Sequence, residues 1–113
     1  MSLEKTDTVD AVGFETGTNS VVLTIADSWD WSDERAHLLA LQAKLNCYLD
    51  FIEDGQLDEC YPDATGRKQV IDLISRYPLP AIGTALLHKA QAAAAALQIE
   101  IRSRCVPGNL PDP

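Results

Sequence analysis

Six carboxylates crowd the stretch between positions 50 and 63: Asp50, Glu53, Asp54, Asp58, Glu59 and Asp63. Such a group attracts positive charge, and three sources could supply it. The chain's own Arg67, Lys68 and Arg76 follow closely in sequence. A basic protein partner is the second source. A divalent cation is the third, although the spacing lacks the glycine-centred pattern of a calcium loop. Three of the acids fall in the last turns of a predicted helix, where the dipole is already negative. Each misplaced acid costs about 0.3–1 kcal/mol there at low salt.

A second group is Asp27-Ser28-Trp29-Asp30-Trp31-Ser32, which holds both tryptophans in a strand-to-helix connection. Tryptophan anchors interfaces, staples a loop over a helix start or stacks on a ligand. The residues with partner-binding chemistry are therefore Trp29, Trp31, Asp50, Glu53, Asp54, Asp58 and Glu59. His37 and His88 have no neighbour at metal-ligand spacing, and H-E-x-x-H is absent. Each reads as a surface or hydrogen-bonded histidine. No phosphate loop and no G-x-S-x-G occurs. A small enzyme would have to build its site from His37 with Asp33, Asp58 or Glu59, between the first helix and the hairpin. Cys47, Cys60 and Cys105 show no C-x-x-C spacing and read as small buried hydrophobes of a reducing compartment. No cofactor or metal site is expected.

Positioning falls to a predicted order of ββαββαβ. Thr8 to Glu15 and Ser20 to Ala26 alternate as a hairpin around Thr16-Gly17-Thr18-Asn19. A helix starts near Ser32, capped by Asp30 or Ser32, and runs about twenty residues to Gly55. Its stripe is Leu38, Leu41, Leu45, Leu49 and Ile52, widened by Leu39 and Tyr48. Gln56 to Tyr61 reads as a short strand, and Arg67 to Ser75 as another rather than a helix. Pro80 opens a second helix with the stripe Ile82, Leu86, Ala90, Ala93 and Leu97. Gln98 to Val106 alternates cleanly, with Glu100, Arg102 and Arg104 on its wet face. The fold class is α+β, a two-layer sandwich with a largely antiparallel sheet and two helices on one face.

The chain has 113 residues and a net charge of -8. Positions 1 to 63 hold fourteen acids and three bases, net -11, and the remainder is net +3. A length of this size fits one domain, residues 1–106, with a proline-rich tail at 107–113 expected to be disordered. Hydrophobic content of 46% excludes global disorder. The acidic balance argues against nucleic acid or an anionic membrane as the partner. Arg67, Lys68, Arg76, Arg102 and Arg104 could form a basic strip on neighbouring strands, or pair across strands with the chain's own acids. The polar N-terminus lacks a signal-peptide core, and no apolar run would span a membrane. The expected location is cytoplasmic.

Several of these segments together resemble a group of small, uncharacterised bacterial proteins of unknown function. The likeness runs from about Val9 to Ile101. It rests on Val22-Leu23-Thr24-Ile25-Ala26-Asp27, Trp29-Asp30-Trp31-Ser32-Asp33-Glu34, His37-Leu38, Leu41-Gln42 and Leu45-Asn46. It continues through Tyr48-Leu49, Phe51-Ile52-Glu53, Gly55-Gln56, Tyr61-Pro62-Asp63-Ala64, Gly66-Arg67 and Tyr77-Pro78-Leu79. The resemblance implies a small bacterial cytosolic domain and carries no catalytic residues. The expected function is a protein-binding or accessory module, immunity-like in one form, with a basic protein as partner. A homodimer through a sheet edge at Gln56 to Tyr61 is compatible with it. The alternative is the small His/carboxylate enzyme.

Overall fold

The computed structural model of the chain describes Val9 and residues 11–106. Strand β1 (Ala11–Glu15) and strand β2 (Ser20–Asp27) form the expected hairpin, pairing antiparallel with Phe14 opposite Val21. Asn19 takes a positive φ of 52° in the turn between them. Helix α1 (Glu34–Glu53) follows, then a short helix α2 (Gln56–Cys60) and a single 3-10 turn at Pro62–Ala64. Strand β3 (Lys68–Ser75), helix α3 (Ala81–Ala96) and strand β4 (Ile99–Cys105) complete the described chain.

The four strands lie in the order β1-β2-β3-β4. Only β1 and β2 are antiparallel; β3 runs parallel to β2, and β4 parallel to β3. The sheet is therefore mixed, and the expectation of a largely antiparallel one is corrected. The cause is a single segment. Gln56–Cys60 is a helix, where the sequence reading expected a short strand. Leu57 is its one buried residue, too little apolar surface to hold a strand in a sheet. Local bonds fold it instead: Glu59 N–H donates to the Gly55 carbonyl and Tyr61 N–H to that of Leu57. Gly55, at φ 83°, takes the left-handed conformation that ends α1. Without a strand there, the chain after α1 returns to β3 as a parallel crossover. Two successive crossovers of the same hand, moving in the same direction, put α1 and α3 on one face. The edge strands are β1 and β4, so the edge expected at Gln56 to Tyr61 for a homodimer does not exist.

The core lies between the helices and the inward face of the sheet. Val21, Leu23, Ile25, Ile71, Leu73, Ile99 and Ile101 meet Leu41, Leu45, Tyr48, Ile52, Leu87 and Ala94. On α1 the buried face also takes in His37 and Lys44. On α3 the buried residues are Gly83, Leu87 and Ala94. The stripe expected from periodicity lies to one side. Ile82, Leu86, Ala90 and Ala93 line the groove between α3 and α1, while Leu97 is exposed. The thiols also depart from expectation, since Cys60 and Cys105 are exposed and Cys47 is half-buried. The tail at 107–113 lies outside the described residues. Among the described residues, no helix is long and apolar enough to cross a membrane.

Candidate functional site

Two groups of polar residues stand at opposite ends of α1. At its N-terminal end, Asp27 closes β2 on the same inward parity as Val21, Leu23 and Ile25. It is 1% exposed. Its Oδ2 lies 2.5 Å from Nε2 of His37, which is also 1% exposed. His37 Nδ1 donates to the Asp30 carbonyl at 2.8 Å, and the Trp29 N–H donates to Asp27 Oδ1 at 3.1 Å. Trp31 stacks on the imidazole with centroids 3.6 Å apart and planes 14° from parallel. Trp29 meets the same ring edge-on at 5.5 Å. Burial pushes the Asp27 carboxyl above its ordinary value, against the opposing hydrogen bond and charge of His37. The tryptophans thus staple the connection onto the start of α1.

The caps are arranged differently from expectation. Asp33 caps α1 by accepting from the Ala36 N–H at 3.1 Å. Asp30 instead accepts from the Ser32 hydroxyl at 2.7 Å and from its N–H at 3.1 Å. The Ser32 hydroxyl is the main cause that holds the Asp30 carboxyl below its usual range. His37 therefore does not converge with Asp33, Asp58 or Glu59. The last two are exposed on α2, beyond the far end of α1.

The acidic group gathers at that far end. Asp50 stands about 20 Å along the helix from His37, given 1.5 Å of rise per residue. Asp50 and Glu53 lie in the last turn of α1, Asp54 caps it, and Asp58 and Glu59 sit on α2. All five are exposed. No basic residue occupies the last turn of α1. Asp50 and Asp54 line a groove of about 910 Å³ together with Val12, Ala43, Phe51 and Tyr61.

Four of the chain's own bases are engaged within the chain. Lys68 pairs with Glu100 at 2.7 Å. Arg102 pairs with Glu15 at 2.7 Å, which lowers the Glu15 carboxyl and raises the guanidinium. Arg102 and Arg104 also flank the buried Asp72 at 3.5 and 3.4 Å. Arg67 bonds the Asp63 carbonyl and Asn19 and lies 5.1 Å over the Phe14 ring. The basic strip is thus interleaved with acids of the same chain on the sheet face opposite the helices. Among the described residues, no group of His, Cys, Asp and Glu side chains could hold a metal ion.

A family model matches residues 1–106. The chain belongs to a family of unknown function, DUF6572. That match spans both ends of α1, so the Asp27–His37 cluster and the acidic end both lie within the DUF6572 domain. No curated protein and no solved structure matches the chain.

The partner of His37 was missed in the sequence. The signal was present: Asp27 continues the inward alternation of Val21, Leu23 and Ile25, and an inward carboxylate at a strand end requires a donor.

Proposed function

We propose that the chain is a protein-binding module whose acidic end receives a basic surface of a partner protein. One observation carries this reading. Asp50, Glu53, Asp54, Asp58 and Glu59 are exposed together, and Lys68, Arg102 and Arg104 pair with other acids of the chain. The arrangement opposes the helix dipole, so it works against folding. A groove lined by Asp50 and Asp54 beside Val12, Phe51 and Tyr61 suits a cationic segment carrying an apolar or aromatic anchor. The charges steer the encounter and the apolar residues hold the anchor. An immunity-like inhibitor of a cationic enzyme is one concrete form. The proposed setting is a bacterial cytoplasm, consistent with the free thiols of Cys47, Cys60 and Cys105.

The test is affinity capture from a lysate of the native host, read by mass spectrometry. The parent chain is compared with the triple variant Asp50→Asn, Glu53→Gln and Asp54→Asn. The expected result is a basic protein retained by the parent and lost by the variant. Identical captures from both chains would contradict the reading.

A further inference from the structure

The cluster at the N-terminal end of α1 is unused by the acidic surface, yet it is the most constrained polar site in the described chain. A carbonyl only accepts, so the contact with Asp30 fixes the proton on His37 Nδ1. The 2.5 Å contact between Nε2 and Asp27 Oδ2 then requires a proton of its own. It comes either from an imidazolium facing a carboxylate or from a carboxylic acid facing a neutral imidazole. Both forms are neutral overall, and both hold one bridging proton. Without it, an imidazole lone pair faces a carboxylate in a site closed to water.

The loop depends on that pair. Asp27 holds the Trp29 backbone, and His37 supplies the surface on which Trp31 stacks. The Trp31 Nε1 is buried without a hydrogen-bond partner, so no polar bond from its ring ties that indole in place. On α3 the ring packs near Gly83, where an added Cβ would stand 3.2 Å from Trp31 Cη2. We propose that this cluster is a proton-operated latch. One proton bridging Asp27 and His37 holds the two-tryptophan loop over the strand ends, and its loss releases the loop.

Other charged groups border the pair from three elements. Asp30, on the loop, directs its carboxylate to Ser32. Asp33 caps α1. Arg76, beyond β3, donates its backbone N–H to the Asp27 carbonyl at 2.9 Å. From α3, Gly83 faces Trp31 of the cluster. The raised Asp27 carboxyl agrees in sign with a pair that retains its proton. Where the folded pair keeps a proton that the unfolded chain has released, the latch's contribution to stability falls as pH rises.

The experiment follows acrylamide quenching of tryptophan fluorescence from about pH 6 to pH 10. It is set beside the ring nitrogen resonances of His37, assigned with a His88→Gln chain. The expected parent shows a one-proton rise in indole accessibility that coincides with loss of the Nε2 proton, while far-ultraviolet circular dichroism stays native. Asp27→Asn and His37→Gln lack that transition. Unchanged accessibility while Nε2 loses its proton, or the same transition in Asp27→Asn, would overturn the latch. If either variant fails to fold, the parent's two titrations decide alone, and their failure to coincide rejects it. The acidic surface is untouched by either result.

Discussion

Removing the His37 ring leaves Asp27 buried without its partner and Trp31 without the plane it stacks on. His37→Ala is expected to destabilise the chain by about 3–5 kcal/mol, the usual cost of breaking a buried pair from one side. Urea unfolding followed by circular dichroism measures it, and a loss under about 1 kcal/mol would show that the pair contributes little. At this scale the sequence was half legible. Of the three roles the sequence leaves open for the tryptophans, the loop staple is the one whose contacts are formed, both rings packing on His37. The imidazole they pack on was not legible as their support. His37 sits a full turn before Leu41 on the buried face of α1, and that face can be placed only once the polar residues on it have partners. Lys44 shows the same effect. It is fully buried, with its ammonium 5.7 Å from the Tyr48 ring, three residues after Leu41 on the buried face of α1.

Two elements are fixed by single residues at their starts. Asp33 satisfies the Ala36 N–H in the first turn of α1. Asp33→Ala should cost about 1 kcal/mol in urea unfolding, whereas Ser32→Ala, one residue outside the cap, should cost clearly less. At the start of α3, Gly83 leaves room for the Trp31 ring. An added Cβ already meets Cη2 at 3.2 Å and Cζ2 at 3.3 Å. Gly83→Leu is expected to destabilise by about 1–3 kcal/mol through overpacking, despite leucine's better helix propensity. A melting temperature at or above the parent's would show that the loop yields freely. The hairpin, both long helices and β4 were legible from period and turn chemistry, whereas the period at Val70, Ile71, Leu73 and Ile74 fits helix and strand alike and only the β-branched content and flanking turn and Pro78 favoured β3. The segment after Gly55 was not, because its few polar residues carry no period and only its local hydrogen bonds decide its state. The α3 stripe was displaced for a related reason. In a helix so rich in alanine, the bulk of Ile82 and Leu86 marks the groove toward α1, while its buried positions are Gly83, Leu87 and Ala94.

Across the whole molecule, one misread segment changed the topology. With a strand at Gln56 to Tyr61 the sheet can close with antiparallel neighbours; with a helix there, β3 must arrive parallel to β2. The charge division was legible from the start, since the acids of the first 63 positions and the bases beyond them are plain in the sequence. Of the two readings of the bases, pairing across strands with the chain's own acids is the one the structure takes: Lys68, Arg102 and Arg104 are paired on the sheet face opposite the helices, leaving the acidic end without them. That separation gives a stability prediction. Neutralising Asp50, Glu53 and Asp54 removes repulsion from the C-terminal end of α1. It should raise stability by about 0.3–1 kcal/mol per site at low ionic strength, with a smaller gain in high salt. Urea unfolding at two salt concentrations checks it. Loss of stability in the triple variant would mean that the acids hold the fold together.

The most direct test of the acidic end as a binding surface is the dissociation constant of the captured partner, measured by calorimetry with the parent and with the Asp50→Asn, Glu53→Gln, Asp54→Asn chain. The account predicts that the variant, though at least as stable, binds about tenfold or more weakly, a loss of about 1.4 kcal/mol or more. It also predicts that the parent's affinity falls as salt is raised. Equal affinity for parent and variant, with no dependence on salt, would contradict it.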